Sequence, residues 1–322
     1  MMTVMKNEDI MWALLIHLGC RYKGDSRKAE KLPDRMFCDY DTWRRVIDRM
    51  AEVGMNTAVI EVAEGVVLPS HPELSVKGAW SPERMAKEIS YMKACGIKAI
   101  PKLNFSTLHD PWLGDVQYEV STPRYYRVCS EVIKDVAEIF DRPELFHIGM
   151  DEESDIGGQG NRDMLIIRQG DLFWHDVNFL ADEVEKHGGR AWMYGDDAWF
   201  RRESFYANFP KRILLSNWFY GRSFRIAEKP WQPPRMKSYR EFDEHGFDQV
   251  PTATNWYPAY LYKDKGIQSN DVNFPLTVAH CRQVISPERL KGFMMTTWKK
   301  TLPENFDAIS HAIDLVGQSM MI

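Results

Sequence analysis

Two adjacent carboxylates, Asp151 and Glu152, follow a short apolar run in the segment LFHIGMDEES, residues 145–154. Successive side chains of a strand point to opposite faces, so both acids can face one pocket only if the strand has ended. Gly149 and the polar stretch SDIGGQGN indicate that it ends there. Close carboxylates repel, and burial raises the pKa of the less solvated one. Such a pair suits general acid–base catalysis near neutral pH. Glu153 is expected to face solvent.

Short apolar runs alternate with amphipathic helical stretches along the chain. We predict eight strands, at 11–18, 57–62, 98–103, 145–149, 190–195, 213–218, 248–254 and 292–297. We predict helices at 41–53 with Asp41 as N-cap, at 81–95 with Ser81 as N-cap and Pro82 first in the helix, and at 171–187. The strands are apolar on both faces, as in a covered parallel sheet. The alternation predicts a single-domain (β/α)8 barrel over residues 1–322, with an irregular insertion around 221–247.

Barrel enzymes carry their working residues at the carboxyl ends of the strands. The predicted ends give His17 to Arg21, Glu61 and Glu64, Asn104 to His109, Asp151 to Glu153, Tyr194, Asp196 and Asp197, Asn217, Trp218 and Tyr220, Asn255 to Tyr257, and Trp298 to Lys300. The 11 Trp and 13 Tyr residues of the chain often stand beside polar groups. Rings next to polar groups suit a sugar, which has an apolar face and a rim of hydroxyls.

Composition narrows the choice of partners and compartment. The formal net charge of −5 provides no basic field for nucleic acid, and no apolar run is long enough to span a bilayer. Five scattered cysteines without a CxxC pair predict reduced thiols rather than a disulfide framework or a zinc site. The N-terminus lacks the features of a signal peptide. We therefore expect a cytoplasmic protein that binds a carbohydrate substrate and needs no cofactor or metal. A homodimer is considered.

The segment FHIGMDEE resembles the H-x-G-G-D-E signature of glycoside hydrolase family 20, the β-N-acetylhexosaminidases, with Met150 at the second glycine. In that family the motif ends the fourth barrel strand, as it does here by independent count. Later segments match in the same order: AWMYGDDAW with Tyr194 and Asp196, SNWFY with Trp218, TNWY with Tyr257, and TTWKK with Trp298. The resemblance implies that these residues, together with His109 from the third-strand loop, bind the substrate.

The resemblance also implies substrate-assisted, retaining hydrolysis of a terminal N-acetylhexosamine or a related sugar. The 2-acetamido oxygen of the sugar attacks its own anomeric carbon and forms an oxazolinium intermediate, so no protein nucleophile is required. Glu152 would protonate the leaving oxygen and then activate water. Asp151 would orient the acetamido group. This scheme is an exception to the usual pair of flanking carboxylates, and it accommodates acids that are neighbours in the chain.

Several positions depart from the family pattern. Lys300 stands where the family usually has an acid that binds sugar hydroxyls, and Asn104 stands where an Asp is common. The first-strand Arg has no secure counterpart, because Arg21 lies beyond the strand. The barrel begins within the first dozen residues, so the usual N-terminal α/β domain is expected to be absent. These departures alter the predicted grip on the sugar and leave the acid pair intact.

Three alternatives remain from the sequence. The first is an ordinary retaining glycosidase in which Glu61 or Asp197 is the nucleophile. The second is a metal-dependent barrel hydrolase or isomerase that binds Mg²⁺ or Mn²⁺, with candidate ligands His17, Glu61, His109, Asp151 and Asp197. The third is a carbohydrate-binding barrel that has lost turnover.

Overall fold

A computed structural model describes residues 10–19, 34–153, 167–227, 229–257 and 269–322. Eight parallel strands form one sheet in the order β6-β5-β4-β3-β2-β1-β8-β7. The strands are β1 (Met11–His17), β2 (Thr57–Glu61), β3 (Lys98–Lys102), β4 (Leu145–Gly149), β5 (Arg190–Tyr194), β6 (Leu214–Ser216), β7 (Thr252–Thr254) and β8 (Gly292–Thr296). Each predicted strand is therefore present, although β6 and β7 are shorter than the sequence indicated.

Backbone hydrogen bonds also connect β6 and β7, the two strands at the ends of this order. Val250 donates its N–H to the carbonyl of Leu215 at 2.9 Å, and Thr252 donates to the carbonyl of Asn217 at 2.8 Å. These hydrogen bonds close the sheet into a barrel, and helices connect its successive strands. The predicted (β/α)8 barrel is confirmed.

The α-helices of the described chain alternate with the strands. They are α1 (Tyr40–Val53), α2 (Pro82–Ala94), α3 (Pro123–Ile139), α4 (Gly170–Lys186), α5 (Asp197–Phe200), α6 (Arg202–Asn208), α7 (Gln232–Glu244), α8 (Asn273–Val284) and α9 (Phe306–Ser319). Ser81 caps α2 as predicted, because its side chain accepts the backbone N–H of Arg84. The predicted N-cap of α1 is wrong: Asp39, not Asp41, accepts the backbone N–H of Thr42.

The predicted irregular insertion around 221–247 is wrong for its second half, because α7 is a regular helix of 13 residues. Pro233 and Pro234 lie in its first turn, where backbone N–H groups have no partner within the helix and proline is tolerated. Tyr239 and Phe242 are buried on its inner face. The prolines start this helix rather than break it.

Alternate strand residues fill the barrel interior. Ala13, Leu15, Val59, Ile100, Leu145, Trp192, Tyr194, Leu214, Val250 and Met294 form one apolar cluster. Nearer the carboxyl ends, strand register places His17, Glu61, Lys102 and His147 side by side across β1 to β4. The apolar interior thus ends in a polar row. Among the described residues we find no helix with both the length and the apolar character needed to span a bilayer.

Candidate active site

The end of β4 turns sharply at Gly149, whose φ is 74°. A Cβ atom at this position would lie 2.0 Å from Oδ1 of Asn104, so only glycine fits. Met150 and Glu152 also have positive φ values, 66° and 57°, which side-chain-bearing residues rarely adopt. The chain therefore leaves the strand through a strained turn, and Asp151 and Glu152 lie within that turn rather than in the strand.

Both acids contact one histidine from the loop after β3. Nε2 of His109 lies 3.2 Å from Oε2 of Glu152 and 3.5 Å from Oδ2 of Asp151. Burial lowers the pKa of His109, but the charge of Asp151 and the hydrogen bond and charge of Glu152 outweigh it and raise the pKa to about 9. The histidine is therefore a cation at neutral pH, and it holds the two carboxylates together.

The two carboxylates differ in exposure and in their partners. Asp151 is buried, and its Oδ1 accepts a hydrogen bond from Nδ2 of Asn104 at 2.7 Å. The side chain of Glu152 is 33% exposed, while its backbone N–H donates to Oδ2 of Asp196 at 2.8 Å. Asp151 is thus fixed in place, and Glu152 remains accessible to a ligand at the mouth of the barrel.

The end of β5 brings two further predicted residues to Asp151. Burial, followed by the charge of Asp151, raises the pKa of both Tyr194 and Asp196 well above their usual values. Within the described chain, the Tyr194 hydroxyl and Oδ1 of Asp196 are buried without a hydrogen-bond partner. The Tyr194 ring packs against His147, with centroids 4.6 Å apart. Two orphaned polar atoms thus lie close to the acid pair.

Aromatic rings line another side of the site. Trp218 stacks on Tyr220 with centroids 5.0 Å apart, and Tyr220 meets Trp298 at 6.4 Å. Trp218 and Trp298 pack against the apolar cluster of the barrel interior. Burial raises the pKa of Tyr220, and the charges of Asp151 and Glu152 add to this effect. Tyr220 belongs to the site, although it was not among the predicted substrate-binding residues. Its sequence signal is its place among the residues at the predicted end of the sixth strand, in SNWFY.

Tyr257, also predicted to bind the substrate, lies half-buried in the loop after β7. Lys300 places its Nζ 3.7 Å from the centroid of the Phe37 ring. Arg21 lies outside the described residues.

The expectation that Glu153 faces solvent is wrong. Its side chain is 1% exposed, and its Oε1 accepts from Nε of Arg168 at 2.8 Å. Its Oε2 accepts from the backbone N–H of Thr107 at 2.9 Å. The sequence could not show this, because the cation that compensates the buried charge, Arg168, lies 15 residues further along the chain.

The other candidate acids are already paired. Glu61 forms a buried ion pair with Lys102, and Nε of Arg201 donates to Oδ1 of Asp197 at 2.7 Å. Burial and the charge of Lys102 lower the pKa of His17 to about 4, so this histidine is neutral. Within the described ranges, no group of three or more His, Cys, Asp or Glu residues is arranged to hold a metal ion.

No family model and no curated protein matches this chain, but solved structures do. A chitobiase from Flavobacterium johnsoniae superposes with a TM-score of 0.61 at 18% identity, covering 95% of this chain and 47% of that protein. A β-N-acetylhexosaminidase from Bacteroides fragilis gives 0.61 at 15% identity, covering 94% and 65%. A mutant β-hexosaminidase from Streptomyces plicatus in complex with GlcNAc gives 0.62 at 12% identity, covering 96% and 63%.

At these identities the likeness establishes the fold. The chain is a (β/α)8 barrel that carries an acidic pair just past its fourth strand. More particularly, it has the fold of the glycoside hydrolase family 20 barrels. The predicted resemblance is confirmed at the level of the fold. The chain spans about half to two thirds of the length of these proteins.

Proposed function

We propose that this protein is a glycosidase that removes a terminal N-acetylhexosamine or a related sugar. One observation carries the proposal: two carboxylates that are neighbours in the chain converge on His109 immediately past β4, in a barrel of the family 20 architecture. Neighbouring acids at one histidine do not flank a scissile bond from opposite sides. They fit a reaction in which the substrate supplies its own nucleophile.

In this mechanism Glu152 is the general acid and then the general base, because it is the more exposed carboxyl group of the pair. Asp151, held by Asn104, orients the acetamido group and stabilises the positive charge that develops on it. The polar atoms of Tyr194 and Asp196 that lack partners are available for the polar groups of a bound sugar. Trp218 and Trp298 supply apolar surface for the sugar ring.

The test is turnover of aryl glycosides with and without a 2-acetamido group. Glu152→Gln and Asp151→Asn should each lower kcat by roughly 10²–10⁴-fold, as expected for loss of a general acid or an orienting charge. Glu138→Gln, at an exposed position on α3, is the matched control and should leave kcat unchanged.

Three outcomes would contradict the proposal in different ways. Full activity in both variants would place the site elsewhere. Cleavage restricted to sugars without the acetamido group would exclude the substrate-assisted mechanism and favour a protein nucleophile such as Glu61. Binding of N-acetylhexosamine without turnover of any substrate would show a non-catalytic barrel.

A further inference from the structure

Arg168 is a fully buried cation close to the acid pair. Its guanidinium donates to Oε1 of Glu153 at 2.8 Å, to Oδ2 of Asp176 and the Tyr125 hydroxyl at 3.2 Å each, to the Phe105 carbonyl at 2.5 Å and to the Met150 sulfur at 3.9 Å. Two carboxylates and three further acceptors therefore surround one buried charge.

These contacts lie on both sides of the acid pair. Met150 immediately precedes Asp151, and Glu153 immediately follows Glu152. Glu153 is also fixed through its backbone, because Nη2 of Arg201 donates to its carbonyl at 2.8 Å. Asp151 and Glu152 therefore lie in the chain between Met150 and Glu153, which both contact the guanidinium of Arg168.

The backbone from Met150 to Glu153 adopts an unfavourable conformation that contacts with the surrounding structure must stabilise. Met150 and Glu152 both occupy the left-handed region, which costs roughly 1 kcal/mol or more for each residue that carries a side chain. The two carboxylates also repel each other. A conformation that is locally unfavourable persists only where its surroundings determine it.

We propose that Arg168 is a positioning residue: through Glu153 and Met150 it holds the strained turn that presents Asp151 and Glu152 to His109. The catalytic consequence rests on the function proposed above. A misplacement of about 1 Å in a reacting group can lower the rate of reaction by about 10²-fold, so loosening this turn should slow turnover while leaving the sugar-binding rings in place.

A purely structural ion pair would also cost stability when broken, so stability alone does not test the proposal. Two conservative variants separate the roles. Arg168→Lys keeps the charge and loses the planar fork. Glu153→Gln keeps the side-chain shape but has one oxygen acceptor in place of two, so it can accept from Arg168 or from Thr107 but not from both. This variant should remain folded at low temperature.

Glu88→Gln is the matched control. Glu88 is buried between α1 and α2, where it accepts from Nε1 of Trp43 at 3.2 Å and from Nη2 of Arg44 at 3.0 Å. All three variants should unfold at lower temperature than the parent. Only Arg168→Lys and Glu153→Gln should lower kcat, by about 10-fold or more, with KM changed by less than about 3-fold.

A second readout does not depend on turnover. The pKa of His109 reports the proximity of Asp151 and Glu152, with Lys102 opposing them, and it is measured by NMR titration with His109→Gln for assignment. It should lie near 9 in the parent and in Glu88→Gln. It should fall by about one unit or more in Arg168→Lys and Glu153→Gln, as the carboxylates move away.

The outcomes separate this inference from the proposed function. An unchanged His109 pKa in folded Arg168→Lys and Glu153→Gln overturns the positioning role, whatever the enzyme does. If the parent turns over no glycoside, the proposed function fails and the titration still decides the role of Arg168. If Glu153→Gln lowers kcat no more than Glu88→Gln does, Arg168 serves stability alone.

Discussion

A cation between two carboxylates makes the site sensitive to pH at the level of a single residue. The pKa of His109 rises from 6.5 to about 9 in the folded protein. The folded state therefore binds this proton more tightly than the unfolded chain does. Its contribution to stability is fully present below about pH 6.5 and is lost as the pH rises through about 9.

The first prediction compares the parent with His109→Gln. The free energy of unfolding, from urea denaturation, should differ most at about pH 6, where the pH-dependent part of the difference is at most about 3 kcal/mol, the value of a shift of this size. By about pH 10 the difference should shrink to the contribution of packing alone. A difference that does not change with pH would contradict the ion cluster.

Met150 occupies the position of the second glycine in the family signature, and the structure shows what this change entails. The residue has a φ of 66°, yet its side chain is buried against Arg168. Glycine would relieve the backbone strain but lose the apolar packing, which for a buried methionine is worth about 2–5 kcal/mol relative to alanine. Packing outweighs strain, which explains how a methionine is tolerated here.

The second prediction follows from this balance. Met150→Gly and Met150→Ala should both lower the free energy of unfolding, and the alanine variant should be the less stable by about 1 kcal/mol. This order reverses the usual one, because alanine keeps the strain and also loses the packing. Thermal unfolding of the two variants measures the difference. Equal stability, or a more stable alanine variant, would show that the turn relaxes when the side chain is removed.

Single residues also show where sequence reasoning stops. Asp151 and Glu152 were found because a strand end and a short motif mark them locally. The burial of Glu153 depends on Arg168, which lies 15 residues further along the chain, and no local spacing links the two. Tyr220 was predicted to lie at the end of the sixth strand but was not assigned to substrate binding, because its nearness to the acids arises from barrel closure and not from its neighbours in the sequence.

At the scale of helices and strands, capping determines where α1 begins. Asp39 has extended backbone angles and accepts from both the N–H and the hydroxyl of Thr42, at 2.9 Å and 2.8 Å. Asp41 lies in the first turn of the helix, where its carboxylate interacts favourably with the helix dipole but does not cap the helix. The periodicity of the sequence located the helix, but two nearby aspartates left its first residue ambiguous.

The third prediction tests this assignment. Asp39→Ala should lower the free energy of unfolding by about 1 kcal/mol, as is usual for loss of an N-cap. Asp41→Ala is the matched control and should cost no more than a few tenths of a kcal/mol. Chemical denaturation of the two variants provides the comparison, and similar losses in both would show that the first turn frays.

The elements that the sequence located best are those with long, regular apolar patterns, such as β1, β4 and α2. The segment that forms helix α7 was predicted to be irregular, although Pro233 and Pro234 lie in its first turn, where a helix accepts proline. Strands β6 and β7 were predicted too long, since Trp218 and Gln249 at the predicted margins pair only in isolated bridges and not in the continuous ladder.

For the whole molecule, the seam between β6 and β7 determines whether the sheet becomes a barrel. Ser216 is fully buried there and connects three consecutive strands. Its hydroxyl accepts from Nε1 of Trp192 on β5 at 2.8 Å and donates to the carbonyl of Val250, just before β7, at 2.6 Å. One side chain thus satisfies a buried indole and a buried carbonyl across the seam.

The fourth prediction concerns this seam. Ser216→Ala leaves both buried groups without their partner, so the free energy of unfolding should fall by about 1–3 kcal/mol. Ser90→Ala removes a hydroxyl that donates to a backbone carbonyl at an exposed position of α2, and it should change stability by less than about 0.5 kcal/mol.

Hydrogen exchange should become faster at the Val250 and Thr252 amides, which bridge the seam, and remain slow in β2. Because the rings from β6 and β8 face the acids only when the barrel is closed, Ser216→Ala should also raise KM for the aryl glycoside. Loss of stability with unchanged exchange at the seam would place the closure elsewhere.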